Sequence, residues 1–167
     1  MIITLLKRLM VMLLLVAFQV LVLNHLQLMG YGTPLIIACL LLYMPMGTMK
    51  AGALLWGFCA GMLLDIFSNT PGVASGAMTF VALIQPPLLK LMAPRDAAED
   101  ITPTMQTMGK WNYVRYTMII FLMHHVVYFG LECFSVYQIA DVALLMLTSW
   151  VTSVLLALLL ESFRRTK

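Results

Sequence analysis

One apolar stretch of this chain carries side chains that could do chemistry. His124, Tyr128 and Glu132 follow one another at intervals of four residues, so a helix would place them on one face, with His125 rotated from it by about 100°. Imidazole groups at membrane depth can bind a metal ion or relay protons. The same side chains could instead satisfy hydrogen bonds between helices or contact a partner protein.

The rest of the sequence favours hydrogen bonding over catalysis or metal binding. The chain has no H-E-x-x-H metal motif, no G-x-S-x-G nucleophile elbow and no second cluster with ligand spacing. Neutral imidazoles could pair with polar side chains on facing helices, and the sequence offers Gln19, Gln85, Thr148, Ser149, Thr152 and Ser153. We therefore expect a non-enzymatic protein with no catalytic residue, no bound metal and no cofactor.

A ridge of small residues leads to another ionisable candidate. Ala53, Gly57, Gly61 and Asp65 recur every four residues and would form one inclined row along a helix. The Gly57-x-x-x-Gly61 pair allows the backbone of a neighbouring helix to approach closely. Such contacts are a main source of helix association in lipid, where no hydrophobic force drives helices together.

The same glycine spacing returns after a turn. Gly72 and Gly76 are again four residues apart, and the turn before them is Ser68-Asn69-Thr70-Pro71-Gly72. Proline presets its own φ, and glycine is free to take a positive φ, as tight turns require. Two glycine pairs that flank an acidic turn predict a tightly packed helical hairpin.

Asp65 lies near one end of its apolar run. An ionisable group there is costly and tends to face a partner or a water-filled pocket. Asp65 could cap the polar turn, or it could bind a cationic residue of another protein outside the membrane. Within the chain, the basic candidates on that side are His25 and, depending on helix packing, His124 and His125. Both interpretations stay open.

Six almost uninterrupted apolar runs account for most of the chain. It is 62% hydrophobic and 10% charged, with a mean hydropathy of +0.97, whereas soluble domains average about 45–50% apolar and about 25% charged residues. A bilayer core about 30 Å thick needs roughly 20 helical residues to cross it. We predict one all-α membrane domain over residues 1–167, with spans at 9–23, 34–46, 51–67, 73–92, 116–134 and 139–160.

The basic residues predict how these runs are threaded. All ten Lys and Arg residues flank alternate connections: before the first run, between the second and third, around the loop between the fourth and fifth, and after the sixth. The intervening turns carry His25, Asp65, Glu132 and Asp141 instead. The positive-inside rule then places both termini in the cytoplasm. Because the basic residues are dispersed over four segments, they do not form a nucleic-acid surface.

The second run is the weak point of the six-span prediction. Residues 34–46 are few, and with Pro45, Gly47 and Lys50 they could join the third run as one bent hairpin. A five-span threading would leave one of the two basic tails on the outer side. We keep six spans and expect local thinning and packing among neighbours to accommodate the short one.

The longest piece between the runs is an inner loop at about residues 93–112. It mixes Arg95, Asp96, Glu99 and Asp100 with Thr-Pro and Met-Gly steps. At roughly 20 residues it is too short for a core of its own. A solvated linker is the expectation, and a docking surface for cytoplasmic filaments is the alternative.

The glycine and aspartate pattern resembles a known family. The sequence G-F-C-A-G-M-L-L-D at residues 57–65, followed by a turn that ends at Gly72, resembles the G-F-x-x-G-x-x-x-D segment of the bacterial rod shape-determining MreD family. The basic N-terminus, six apolar runs and basic tail are similar as well. Residues 19–26 and 115–132 look particularly like the Bacteroidetes-type members. The resemblance spans the chain, but only the motif at 57–72 is specific.

That resemblance implies a non-enzymatic, multi-pass component of the cell-elongation machinery in the bacterial cytoplasmic membrane. MreD-like proteins bind the bitopic protein MreC and help to link cytoplasmic MreB filaments to peptidoglycan synthases. The family fold is similar to the six-helix substrate-binding subunit of energy-coupling-factor vitamin transporters, which supplies an alternative function, although the outer turns here are short for a closed ligand site. A homodimer stays open, and the candidates for helix packing and partner contact are Gly57, Gly61, Asp65, Gly72, Gly76, His124, Tyr128 and Glu132.

Overall fold

The computed structural model describes residues 2–25, 32–94, 101–133 and 139–165. Within these residues the chain is helical and contains no strand. The helices are α1 (Ile2–Leu21), α2 (Cys39–Leu42), α3 (Lys50–Ser68), α4 (Val73–Met92), α5 (Met105–Met108), α6 (Lys110–Glu132) and α7 (Ile139–Arg165). A short 3-10 turn over Leu23–His25 follows α1.

Five of these helices, α1, α3, α4, α6 and α7, are long and apolar enough to cross a membrane. The spans expected at 51–67 and 73–92 match α3 and α4 closely. The other three helices are longer than expected, since α1 begins at Ile2, α6 begins at Lys110 and α7 continues to Arg165. The fold is that of an all-α, multi-pass membrane protein.

The helices α3, α4, α6 and α7 alternate in direction, and α1 runs parallel to α3. α3 packs on α4, α4 on α6, α6 on α7, and α1 on α3. Asn24 Nδ2 donates to Ser68 Oγ over 2.8 Å, so α1 and α3 end on the same side. Met105 N donates to Glu161 Oε1 over 3.2 Å, which places the start of α6 beside the end of α7. We call the side where α1, α3 and α6 begin the basic end, and the opposite side the turn end.

Positive charge is concentrated at one of these two ends. The Lys and Arg residues of the long helices lie within roughly two turns of the basic end: Lys7, Arg8, Lys50, Lys90, Lys110, Arg115, Arg164 and Arg165. Asp65, Glu132 and Asp141 lie at the turn end. The distribution follows the grouping of basic residues that the sequence predicts.

The second apolar run does not form the helix expected at 34–46. Only Cys39–Leu42 is helical, and residues 32–36 have no regular structure. The run is nevertheless buried in the bundle, since no residue from Leu35 to Leu42 is more than 6% exposed. Non-helical backbone at membrane depth is tolerated where protein surrounds it, and this segment meets that condition.

The distance that the second run has to cover explains why it is not helical throughout. Gly32 lies against Ser149 in the middle of α7, and Tyr43 lies under the Arg164 guanidinium, 4.8 Å from ring centroid to Cζ. The stretch of α7 from Ser149 to Arg164 measures about 22 Å at 1.5 Å per residue, whereas a helix over residues 32–43 would reach only about 16 Å. Extended backbone gains about 3.3 Å per residue. The non-helical residues 32–36 therefore give the run the additional length that it needs.

The inner loop is shorter and more packed than the sequence predicts. Lys110 already belongs to α6, and the preceding α5 contains Met108, which is 2% exposed. Met46 N donates to Ile101 O over 3.1 Å, which ties the loop to the end of the second run. Residues 95–100, which carry most of the loop charges, lie outside the described part of the chain.

Candidate functional site

The α3–α4 hairpin is held by contacts that only glycine permits. A Cβ atom on Gly61 would fall 2.6 Å from both Ala74 O and Ser75 N, and one on Gly57 would fall 2.9 Å from Met78 O. These distances are shorter than van der Waals contact, so the backbone of α4 occupies the space of a side chain. The structure therefore has the closely packed hairpin that the Gly57–Gly61 spacing predicts.

The second glycine pair has a different role. Gly72 takes φ 88°, with open space where a Cβ would lie, and it serves the turn as predicted. Gly76 faces α6 instead of α3, since its Cβ would fall 2.9 Å from Leu131 Cδ1. Asn69 also takes a left-handed φ of 56°, which a short polar side chain tolerates. The two glycine pairs therefore share a four-residue spacing but have different structural roles.

The Asp65 carboxylate is the polar centre of the hairpin and is only 6% exposed. Its Oδ1 accepts hydrogen bonds from Ala74 N at 2.8 Å and Thr70 Oγ1 at 3.2 Å. Its Oδ2 accepts three more, from Gly72 N at 3.1 Å, Ser75 N at 2.9 Å and Ser75 Oγ at 2.7 Å. All five donors are neutral groups of the same hairpin.

These contacts make Asp65 a cap for the following helix. The first N–H groups of any helix have no partner within it, and the residue before α4 is Gly72, which has no side chain to offer. Asp65 supplies the missing acceptor from α3, and its negative charge also complements the helix dipole. The capping interpretation accounts for all five hydrogen bonds, and none of them involves a cation.

A second polar site supports the non-helical run. Gln19 of α1 is fully buried, and its amide bonds to the run twice: Nε2 donates to Pro34 O and Oε1 accepts from Ile36 N, both over 2.9 Å. These two backbone groups would be unpaired otherwise, since residues 32–36 are not helical. One side chain thus replaces the hydrogen bonds that a helix would have made.

Leu35, which lies between Pro34 and Ile36, is hydrogen-bonded to α7. Leu35 N donates to Ser153 Oγ over 2.7 Å. Ser153 Oγ also lies 3.2 Å from His125 Nε2 and 2.6 Å from Ser149 O, and its single proton can serve one of these acceptors. Phe121 O can only accept, so His125 Nδ1 donates to it over 2.7 Å, and in a neutral ring Nε2 then accepts. His125 Nε2 therefore lies within hydrogen-bond distance of Ser153 on α7, and it accepts the Ser153 proton only when Ser149 O does not.

The face of α6 that holds His124, Tyr128 and Glu132 is less polar than expected. The His124 and Tyr128 rings stack with centroids 5.9 Å apart. His124 is fully buried, and within the described residues neither of its ring nitrogens has a hydrogen-bond partner. Glu132 is exposed at the turn end. The three side chains share a face but do not converge on one point.

The polar side chains of these sites make hydrogen bonds to backbone groups of neighbouring segments. Among the residues that the structure describes, there is no group of three or more His, Cys, Asp or Glu side chains that could hold a metal ion. Gln85 adds a further support, because its Nε2 lies 3.0 Å from Tyr116 Oη and 3.3 Å from Met44 O, at the other end of the second run. The sequence singled out Gln19, Gln85 and Ser153 as polar partners, but not the backbone that they bind.

No family model, no curated protein and no solved structure matches this chain. Its function is therefore inferred from the hairpin, the charge distribution and the buried run. These features define the class of an all-α membrane protein with five apolar helices long enough to span a bilayer.

Proposed function

We propose that this chain is a non-enzymatic membrane component of the bacterial cell-elongation machinery, similar to MreD. The observation that carries the proposal is the motif at residues 57–72. Three of its specific positions have a physical role in the hairpin: Gly57 and Gly61 admit the backbone of α4, and Asp65 caps its first turn. Phe58, the fourth, is 47% exposed. The glycines and the aspartate that carry the family resemblance therefore build the closely packed α3–α4 hairpin.

In this proposal the protein lies in the cytoplasmic membrane with both termini inside. The segregation of Lys and Arg to the basic end supports this orientation, because cytoplasmic flanks carry the excess of positive charge. The five long helices make five crossings, and the buried run at residues 32–44, which is helical only at Cys39–Leu42, makes the sixth. The contacts of Gly32 with Ser149 and of Tyr43 with Arg164 support a crossing parallel to α7.

The partner implied is a bitopic protein similar to MreC, and through it MreB filaments and the wall synthases. A bitopic partner has a transmembrane helix that can pack on an outward apolar surface of the bundle. Apolar side chains point outward from the bundle along α1 and α3, among them Met10, Leu14, Leu55 and Ile66, each more than 60% exposed. Lipid and the partner's transmembrane helix would share these outward faces.

A substrate-binding subunit of an energy-coupling-factor type transporter is the second candidate. One observation favours it: transporters often place a discontinuous segment beside their substrate, near the middle of the membrane. Here the discontinuous run is filled by its own side chains, with Leu35 and Ile36 each 2% exposed. Those of its backbone groups that have no helical partner are hydrogen-bonded to Gln19 and Ser153. A substrate would have to displace those bonds.

Depletion of the protein in the bacterium that encodes it tests the proposal. We expect depleted cells to widen and lose their rod shape, because a scaffold of the elongation machinery would be missing. The Gly52→Ala variant should restore the shape, since a Cβ at Gly52 would meet only Thr48 Cγ2, at 3.9 Å, and Gly61→Leu should not. Normal shape with impaired uptake of a vitamin would contradict the proposal and support the transporter.

A further inference from the structure

A cavity of about 410 Å³ opens at the basic end of the bundle. It lies between α1, α3, the end of α7 and the second run, and its lining combines two kinds of side chain. Lys7, Arg8 and Arg164 supply three positive charges, and Val11, Leu40 and Trp56 supply apolar surface. The sequence shows these residues only as separate basic flanks and apolar runs.

The charge of this cavity is not neutralised by the protein. The Arg164 guanidinium lies 3.8 Å from Glu161 Oε2, and this is the one ion pair within residues 2–25, 32–94, 101–133 and 139–165. Glu161 therefore offsets Arg164, while Lys7 and Arg8 have no carboxylate partner in that part of the chain. An occupant with at least one negative charge would complement them.

The apolar lining and the position of the cavity narrow the choice of that occupant. Trp56 lies almost two turns into α3, and Val11 lies about one turn beyond Lys7 and Arg8 in α1, so both are on the membrane side of the basic residues. Val11 is 45% exposed, so the apolar part of the cavity is continuous with the lipid-facing surface of α1. A soluble anion or an acidic peptide would use the charges but would leave this apolar surface without a partner.

We propose that the cavity binds one anionic phospholipid. Its phosphate lies between Lys7 and Arg8, and an acyl chain follows Val11 and Trp56 into the bilayer. Basic pockets between transmembrane helices on the cytoplasmic side recognise anionic headgroups in this way. The elongation proposal does not depend on this cavity, so the lipid site and the role in cell elongation can each be wrong while the other is right.

Trp56 makes the site directly observable. The chain has three Trp residues, so a Trp111→Phe, Trp150→Phe background leaves Trp56 as the only indole fluorophore. The protein is reconstituted in phosphatidylcholine vesicles that contain a minor fraction of lipid with brominated acyl chains, either phosphatidylglycerol or phosphatidylcholine. Bromine quenches an indole that it touches, so the ratio of quenching by the two lipids reports selective binding beside Trp56.

We expect brominated phosphatidylglycerol to quench Trp56 more strongly than brominated phosphatidylcholine at the same fraction. The Lys7→Gln, Arg8→Gln variant should lower the apparent affinity for phosphatidylglycerol by about tenfold to thirtyfold. The matched Lys50→Gln, Lys90→Gln variant loses the same charge at the same end, outside the cavity, and should leave the affinity within about twofold.

Three results would overturn the lipid site. Equal quenching by the two brominated lipids would mean that the cavity does not select charge. Equal loss of affinity in both double variants would mean that the basic end attracts anionic lipid only diffusely. Displacement of phosphatidylglycerol by soluble glycerol phosphate, or by an acidic peptide at a similar concentration, would assign the cavity to a soluble anion or to a protein segment.

Discussion

Gln19 and Ile36 are joined by a hydrogen bond where the membrane domain has no helix: Gln19 Oε1 accepts from Ile36 N over 2.9 Å. The same amide donates to Pro34 O, so one buried side chain pairs two backbone groups of the second run. Lipid offers no substitute for these bonds. The non-helical backbone of the second run therefore relies on Gln19 for hydrogen bonds that a helix would otherwise have made.

Replacing Gln19 with Leu should destabilise the fold. The substitution conserves the approximate volume but leaves Pro34 O and Ile36 N unpaired, at about 1–3 kcal/mol for each buried group. The measurement is thermal unfolding of the purified protein in detergent, together with amide exchange of the second run. Phe18→Leu is the control, because Phe18 is 48% exposed on the adjacent position, and it should change stability by less than about 0.5 kcal/mol. Equal stability of the two variants would show that Gln19 is dispensable.

Adding a single methyl group to α3 should have opposite effects at two glycines. Gly61→Ala forces a Cβ into the backbone of Ala74 and Ser75 and should cost about 1–3 kcal/mol through overpacking. Gly52→Ala has room and should stabilise the helix by about 0.5–1 kcal/mol, because glycine loses more backbone entropy than alanine on folding. Unfolding midpoints of both variants give the comparison. A neutral Gly61→Ala would mean that α3 and α4 are further apart than described.

Asp65→Asn should lower the stability and the membrane abundance of the protein. The Asn NH₂ group cannot accept a hydrogen bond, so the bond from Ala74 N is lost if NH₂ replaces Oδ1, and those from Gly72 N and Ser75 N are lost if it replaces Oδ2. The Thr70 and Ser75 hydroxyls can reverse and accept. We expect a cost of about 1–3 kcal/mol. Asp141→Asn is the matched control, since Asp141 is an exposed carboxylate at the same end of the bundle.

The same variant separates the two interpretations of Asp65. Because all its donors belong to the hairpin, the partner recovered per molecule of Asp65→Asn should equal that of the unchanged protein. Normal abundance with lost partner recovery would instead assign Asp65 to a cation of the partner. Immunoblots of membranes and of the purified complex, from the same cells, give both quantities.

Reporter fusions test the sixth crossing. Fusions after Thr48 and at the C-terminus should be active with a cytoplasmic reporter, and a fusion after Thr70 with a periplasmic one. Thr48 is the informative position, because it lies between the second run and α3. A periplasmic reporter that works after Thr48 would mean that the second run begins and ends on the periplasmic side and does not cross the membrane.

The hairpin could be predicted from the sequence because its determinants are local. A four-residue spacing places Gly57, Gly61 and Asp65 on one face of any helix, and Pro71 and Gly72 indicate the turn that follows. The direction of the Asp65 contacts is also a local matter, since its donors lie at most ten residues away. What the sequence does not show is which helix each glycine faces, and Gly76 packs on α6 because of the global arrangement.

The second run could not be predicted because its determinants are distant. Leu35 is bonded to Ser153, which lies 118 residues further along the chain, and composition alone makes residues 34–46 resemble any apolar helix. The histidine pair has the same limitation. His124 and His125 are adjacent, and only the rotation of α6 between its neighbours decides that His125 meets Ser153 while His124 stacks on Tyr128.

The most direct test of the proposed role is affinity purification of the tagged protein from bacterial membranes in mild detergent. We expect a bitopic protein with a large extracytoplasmic coiled-coil domain to co-purify in a fixed ratio. Its recovery should persist in Gly52→Ala and fall together with the protein itself in Gly61→Leu. Recovery of a pair of ATPases with their membrane coupling subunit, and of no bitopic coiled-coil protein, would contradict the elongation scaffold and establish the transporter.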